Sequence, residues 1–419
     1  MSATPETIDG PLLTADGVPL KASLQKSLRR AKLRAALLVA PPLLFLIFLF
    51  IIPIGSMLTR SVDDTQINKV LPRTFEAFDA WDKKSDPPEA LYEAMYLDLK
   101  NAEKIEIGQA STRMNYAEPG WRSLVKVTAR RIKKIEPPYK EAFIKIDDRW
   151  AELTYWRSLG IMKDPITFGY YLNAVDLDYD FDKNIIQQDE NRRVYNLLWW
   201  RTILVSVIVT LACLILAYPV SYLLATLPMR YSNLLMICVL MPFWTSLLVR
   251  TTSWIVLLQK EGVINDILVW LGLIGEDGRL QMIYNMTGTV IAMVHILLPF
   301  MVLPLFSVMK TISPSYMRAA KSLGATPARA FWKVYFPQSV PGIGAGSILV
   351  FILAVGYYIT PALVGGRTGQ LISNFIAFHM QKSLNWGLAA ALGGILLASI
   401  LVLYWLYNRL IGIDNMKLG

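Results

Sequence analysis

Six apolar stretches, residues 35–58, 197–224, 233–257, 282–309, 342–364 and 386–408, hold no Asp, Glu or Lys in their interiors. A helix rises about 1.5 Å per residue, so each stretch is long enough to cross a hydrocarbon core of about 30 Å. The pattern predicts an all-α membrane protein with six transmembrane helices in a lipid bilayer. A chain of 419 residues that is 54% hydrophobic fits that class, with room for a polar insert.

Charge sets the expected orientation. Of the 32 acids, 24 fall between Arg60 and Arg193, where they slightly outnumber the bases; outside that stretch bases dominate, about 20 to 8. The basic excess behind the net charge of +10 sits beside the spans and not on one soluble face. Positive-inside orientation explains it, and nucleic acid is not an expected partner. Both termini are therefore expected in the cytoplasm. Residues 1–34 read as a cytoplasmic tail, polar to about residue 20, with six basic residues from Lys21 to Arg34. That basic end reads either as an amphipathic helix on the inner membrane face or as a topogenic anchor. Residues 35–59 form the first transmembrane helix, too long for a signal-peptide core. Pro41, Pro42 and Pro53 are expected to kink or begin it. Residues 197–412 form a five-helix core, and 413–419 a short cytoplasmic tail.

Between the first and second spans lies a polar segment of domain size, residues 60–196. The orientation places it outside the cytoplasm, as a large, mostly helical extracytoplasmic insert. Residues 89–107, 124–135 and 139–159 read as helical, the last with an apolar face through Phe143, Trp150, Leu153, Tyr155 and Trp156. The insert contains no Cys, so its own core must hold it together. Asp176, Asp178, Asp180 and Asp182 alternate as calcium loops do, but the Gly and closing Glu of an EF-hand are missing. A solvated acidic loop is the expectation, and no metal site is assigned. Cys213 and Cys238 fall inside spans and read as buried small hydrophobes. His295 and His379 carry no ligand spacing.

The loop between the fourth and fifth spans, residues 310–341, carries Lys310, Arg318, Lys321, Arg329 and Lys333 and no acid, which keeps it inside. It reads as two short helices. Ser313 and Thr326 are N-caps, each followed by Pro at the first helical position. Tyr316, Ala319, Ala320 and Leu323 share one helical face, and Gly324 supplies a left-handed stop. Phe331, Val334 and Tyr335 make a second apolar face, which Pro337 and Pro341 are expected to end.

Ala319-Ala320, three residues, Gly324, nine residues, Val334, one residue and Phe336-Pro337 resemble the EAA loop of ABC importer permeases. Residues 249–275 and 354–366 extend the likeness to the permease branch that includes spermidine/putrescine importers. The resemblance covers residues 197 to about 408. It implies that the loop is a coupling helix seated in a groove of an ATPase, through Arg318, Ala319, Ala320, Gly324, Val334 and Pro337. Arg318 stands where the family usually has Glu. The resemblance further implies a second permease subunit, two ATP-binding subunits and an extracytoplasmic solute-binding protein, in a bacterial inner membrane.

The chain has no GxxxxGK[ST] motif and no catalytic triad spacing, so no enzymatic activity and no cofactor are expected of it; ATP is used by the partner. Spans without buried acids or lysines weaken a proton-coupled mechanism. Arg250 and Trp254, grouped with Trp244 in the third span, and Tyr357, Tyr358 and Thr360 in the fifth are the candidate translocation path. Tyr and Trp faces can hold organic cations. The cargo expected is a small polar solute: a polyamine, an opine or an amino-acid-like compound. Polyamine-importing relatives tend to carry an acid where this chain has Ala362, and Arg250 points toward an anionic or zwitterionic solute. The alternative class is a membrane sensor or assembly protein with an extracytoplasmic recognition domain. That class needs an output domain, for which both tails read as too short. An export permease is disfavoured by the presence of the loop.

Overall fold

Residues 20–411 are described by the computed structural model. The expectations for residues 1–19 and 413–419 lie outside the described residues. Two units are formed, one up to Thr59 and one from Arg60 onward.

In the first unit, helix Leu20–Leu46 passes through a five-residue π-helical turn, Ile47–Ile51, into Ile52–Arg60. The basic stretch from Lys21 to Arg34 is thus helical and continuous with the first apolar run. Pro41 and Pro42 lie within the helix and do not begin it. The wide turn falls just ahead of Pro53, which cannot donate a regular helical bond; widening the preceding turn absorbs that loss.

In the second unit, the insert is built around aromatic side chains. Trp121, Trp150, Trp156, Tyr92 and Phe143 are among its largest fully buried residues. Ring centroids lie 5.0 Å apart for Phe143 and Trp150, 5.7 Å for Trp121 and Trp150, and 4.7 Å for Tyr92 and Trp156. Every polar tip finds a partner, as burial demands. The Trp121 indole donates to Ser158 Oγ, that of Trp150 to Thr128 Oγ1, and that of Trp156 to the Trp150 carbonyl. The Tyr92 hydroxyl donates to that same carbonyl.

Residues 139–159 do not form the single helix expected. They divide into Tyr139–Ile146, a 3-10 turn Asp148–Ala151 and Leu153–Met162. Asp147 is the cause, since its side chain accepts from the Arg149 amide and starts a new turn. Residues 89–107 likewise divide into Glu89–Asn101 and Lys104–Ala117.

The acidic run is not a solvated loop throughout. Leu177–Tyr179 and Ile185–Gln187 pair as an antiparallel hairpin whose turn Asp180 holds by accepting from the Asp182 and Asn184 amides. Asp176 caps the second span: Oδ1 accepts from the amides of Val194 and Tyr195, and Oδ2 from that of Asn196. These carboxylates have structural work, and no cluster of metal-ligating residues occurs among the described residues.

The second, fourth and fifth apolar helices, Tyr195–Thr226, Met286–Thr311 and Phe336–Gly356, pack together around Val209, Cys213, Met293, Met301, Val302 and Val350. Gly346 lets the fourth and fifth approach closely, since a Cβ there would lie 2.7 Å from Met301 Sδ and 3.2 Å from its carbonyl oxygen. Cys213 is buried as expected, whereas Cys238 is exposed.

Two spans depart from straight rods. The third breaks between Trp244 and Leu247, its halves bent by 97°. Pro242 removes a helical donor, and Ser246 caps the new helix Leu247–Leu258 by accepting from the Val249 amide. The fifth ends at Gly356 and restarts as Ile359–Val364. Among the described residues, five helices are long and apolar enough to cross a membrane, or six if the bent pair is one span.

A further helix, Ile372–Gln381, precedes the last span Trp386–Ile411. Its His379 shares a bond with the Tyr195 hydroxyl through Nε2 and with Ser383 Oγ through Nδ1. Burial pushes this imidazole down from 6.5 to about 4. The unfolded chain therefore binds a proton below 6.5 that the folded chain refuses until about 4. Stability is expected to fall as pH drops through this window, by up to about 3 kcal/mol. Thermal unfolding of wild type and His379→Gln between neutrality and the acid end of the window checks this, the variant showing the shallower slope.

Candidate functional site

The loop between the fourth and fifth spans starts as its sequence dictates. Ser313 Oγ accepts from the Ser315 amide, Pro314 opens the helix Pro314–Ser322, and Gly324 turns the chain with φ +89°. The Ala325 amide reaches back to the Ala320 carbonyl, closing a Schellman-type stop. Thr326 Oγ1 then accepts from the Arg329 amide and Pro327 begins the next helix.

That second helix does not end at Pro337 and Pro341. It runs from Pro327 through a π-helical turn, Phe331–Tyr335, and on to Gly356. The wide turn again precedes a proline, and Gln338 Nε2 donates to the Val334 carbonyl. Pro337 is therefore an exposed residue inside a helix, and Val334 is half-buried beside it.

The faces of the loop differ in exposure. Met317, Ile312 and Phe331 pack against the helix core. Phe331 and Tyr335 meet Tyr222 of the second span at 5.8 and 5.2 Å, and Tyr218 joins them. Tyr218 and Tyr222 escaped the sequence reading; their i, i+4 spacing at the end of an apolar span was the available signal. The opposite face is bare: Leu323 is 88% exposed and Tyr316 53%, with Ala319 and Arg318 exposed beside them and Ala320 half-buried. Lys310, Lys321, Arg329 and Lys333 are exposed in the same loop, Lys310 donating to the Ala225 carbonyl.

The candidate path residues come together where the two interrupted spans meet. Helix Leu247–Leu258 carries Arg250 and, one turn on, Trp254. The Trp254 indole donates to His295 Nδ1 of the fourth span over 3.1 Å. Thr251 Oγ1 lies 3.3 Å from Thr360 Oγ1. Tyr357 caps the end of Phe336–Gly356, its amide donating to the Ala354 carbonyl. Tyr358 is 41% exposed, with its carbonyl held by Asn374 Nδ2. Trp244 does not join this group: it lies across the break and is 72% exposed. His295, Thr251 and Asn374 are the members that sequence reasoning missed. A histidine within an apolar span was the visible sign of the first.

Arg250 Nε and Nη1 are buried without a hydrogen-bond partner. The residue as a whole is half-buried, in the first turn of Leu247–Leu258.

The family described as "Binding-protein-dependent transport system inner membrane component" matches residues 216–411, a range that holds both the loop and the path residues but not the insert. The chain is similar to the spermidine/putrescine transport system permease protein PotB of Escherichia coli K12, 34% identical over 241 residues that cover 56% of this chain and 87% of the relative. PotB of Haemophilus influenzae is 32% identical over 52% of this chain and 77% of its own length. The inner membrane ABC transporter permease YdcU of Escherichia coli is 35% identical over 46% and 64%. The chain belongs to the binding-protein-dependent transport system inner membrane components, the permeases of ABC importers, in the branch that holds the spermidine/putrescine permeases.

Proposed function

We propose that this chain is the membrane-spanning subunit through which an ATP-binding-cassette importer carries a small polar solute across a bacterial inner membrane. Both termini and the loop at 310–341 then lie in the cytoplasm, and the insert at 60–196 lies outside. A second permease subunit completes the path, two ATP-binding subunits drive it, and an extracytoplasmic solute-binding protein delivers the cargo. In this reading the insert would help dock that protein.

The observation that carries this reading is the capped helix Pro314–Ser322 with Tyr316, Ala319 and Leu323 bare on its outer face. A bare apolar face in a loop rich in exposed cations offers a partner both area to bury and charge to pair. ATP binding would close the partner subunits and rock the spans between inward- and outward-open states. The Escherichia coli relative is named for spermidine and putrescine; polyamine, opine and amino-acid-like solutes are the cargo classes considered for this chain.

The test is affinity purification from native membranes with the neighbouring subunits expressed, read by mass spectrometry for an ATPase. Gly324→Val supplies the contrast. No atom lies within 4 Å of a Cβ at this glycine, so the cost comes from its φ of +89° and not from crowding. An L-residue pays about 1–2 kcal/mol there, a loss of about 5–30-fold in correctly turned loop and, with it, in uptake. Uptake at the wild-type level would show that the turn is not where coupling is made.

A further inference from the structure

We infer that a cavity between the insert and the start of the last span holds the phosphate of an anionic phospholipid, and through it ties the insert to the bilayer. The site lies apart from the loop and from the candidate path, and it does not depend on what the chain transports.

The cavity has a volume of about 720 Å³. The insert lines it with the helices Thr65–Val70, Lys104–Ala117 and Trp121–Arg131, and the core with residues 384–387. Five cations and three carboxylates face it, so it is net positive. One pair is closed on itself: Asp64 accepts from Arg113 through both oxygens, 2.7 Å from Nε and 2.6 Å from Nη2, and the same guanidinium lies 4.9 Å from the Tyr170 ring. The other two carboxylates hold backbone, Asp63 accepting from the Thr65 amide and Glu106 from the Glu103 amide. Lys69, Arg122 and Lys126 make no ion pair among the described residues, and Arg60 faces the Trp386 ring at 5.7 Å. Four cations are thus gathered on one cavity without ion-pair partners. A phosphate group brings several oxygens that such cations can share.

The rest of the lining selects a lipid over a soluble anion. Ile105, Leu384 and Trp386 also line the cavity and are 71, 56 and 40% exposed. A soluble anion gains nothing from an apolar rim, whereas a phospholipid carries acyl chains to cover it. Trp386 opens the last span, and Trp is enriched where a bilayer meets water. Leu397 lies about three helical turns further along the same face, with Leu401 one turn beyond, and both are exposed. The exposed apolar stripe of this span therefore begins at the cavity. A lipid whose chains lie along the stripe has its headgroup among the cations. The insert and the span are packed together at this point: the Tyr116 hydroxyl donates to the Ser383 carbonyl, and Gly387 leaves no room for a Cβ against the Tyr170 ring.

The experiment uses the full chain, purified with its neighbouring subunits in a neutral detergent. A trace of phosphatidylglycerol with a diazirine in one acyl chain is added and photolysed, and labelled peptides are read by mass spectrometry. Phosphatidylcholine with the same chain is the zwitterionic comparison. Phosphatidylglycerol is expected to label the peptides that carry Ile105, Leu384 or Trp386, and phosphatidylcholine to label them far less. A cation beside a membrane anion contributes about fivefold to affinity. Lys69→Gln and Arg122→Gln, both on exposed residues, should each cut this labelling about fivefold, and together roughly 10–30-fold. Lys133→Gln with Lys134→Gln removes the same charge from the insert away from the cavity and should leave labelling unchanged. Glycerol 3-phosphate in excess should not compete, while unlabelled short-chain phosphatidylglycerol should. Labelling that is equal for the two lipids, or that survives loss of Lys69 and Arg122, would overturn the inference. Competition by glycerol 3-phosphate as strong as that by the short-chain lipid would overturn it too, since the site would then serve a soluble anion.

Discussion

Leu323→Ser is expected to strip the partner ATPase from this permease while leaving the chain folded. Leu323 is 88% exposed at the tip of the loop, so its removal costs the isolated chain almost no packing. Within a complex the same side chain would be covered. Full burial of a leucine is worth about 1.5–3 kcal/mol, which converts to about 10–150-fold in affinity. The neighbouring Tyr316 and Ala319 remain, but they flank the tip and do not replace it. The measurement pairs ATPase recovery on an affinity column with the melting temperature of the purified chain. Recovery should fall and the melting temperature should hold. Undiminished recovery would mean that this face looks at something other than the ATPase.

Trp150→Ala is expected to unfold the insert. Trp150 is fully buried, touches Trp121, Phe143 and Trp156, and ties its indole to Thr128. Truncating a buried tryptophan costs about 3–5 kcal/mol, against a typical domain stability of about 5–15 kcal/mol. No disulfide is available to compensate, since the insert contains no Cys. Limited proteolysis of purified membranes should release fragments cut within residues 60–196 while the residues beyond stay intact. The same variant tests the proposed role of the insert. If affinity for the solute-binding protein survives the loss of the insert, docking resides elsewhere. An insert that resists protease would show that the aromatic cluster is not what holds it.

Much of this architecture was legible in the sequence because the bilayer enforces simple rules. Apolar length marked the spans, and Ser-Pro, Thr-Pro and Gly marked the loop helices and the turn between them. Breaks were harder to read. A proline in an apolar run is compatible with a start, a kink or a widened turn, and which occurs depends on what satisfies the freed carbonyls. Pro337 and Pro53 sit behind π-helical turns, while Pro242 lies at a full break because Ser246 stands ready to cap a new helix. Asp147 and Asp176 illustrate the same limit, since an aspartate that caps a helix looks in the sequence like one that faces water. The grouping of Arg250 and Trp254 with Tyr357 and Thr360 was an expectation from residue chemistry within each span; the bond that joins the two helices, Thr251 to Thr360, was not foreseen. His295 was missed because a single polar side chain gives no spacing to interpret, and its partner lies 41 positions away.

The helix that leaves the loop at Pro327 reaches Gly356, directly before Tyr357, with no break in between. Thirty residues at about 1.5 Å each make a strut of about 45 Å. Loop and candidate path are thus the two ends of a single beam, braced where Phe331 and Tyr335 rest on Tyr218 and Tyr222. The ends of a beam share one degree of freedom. A molecule that grips the loop therefore also bears on the backbone interruption before Tyr357, so an inhibitor wedged at the loop tip is expected to arrest transport without entering the proposed path.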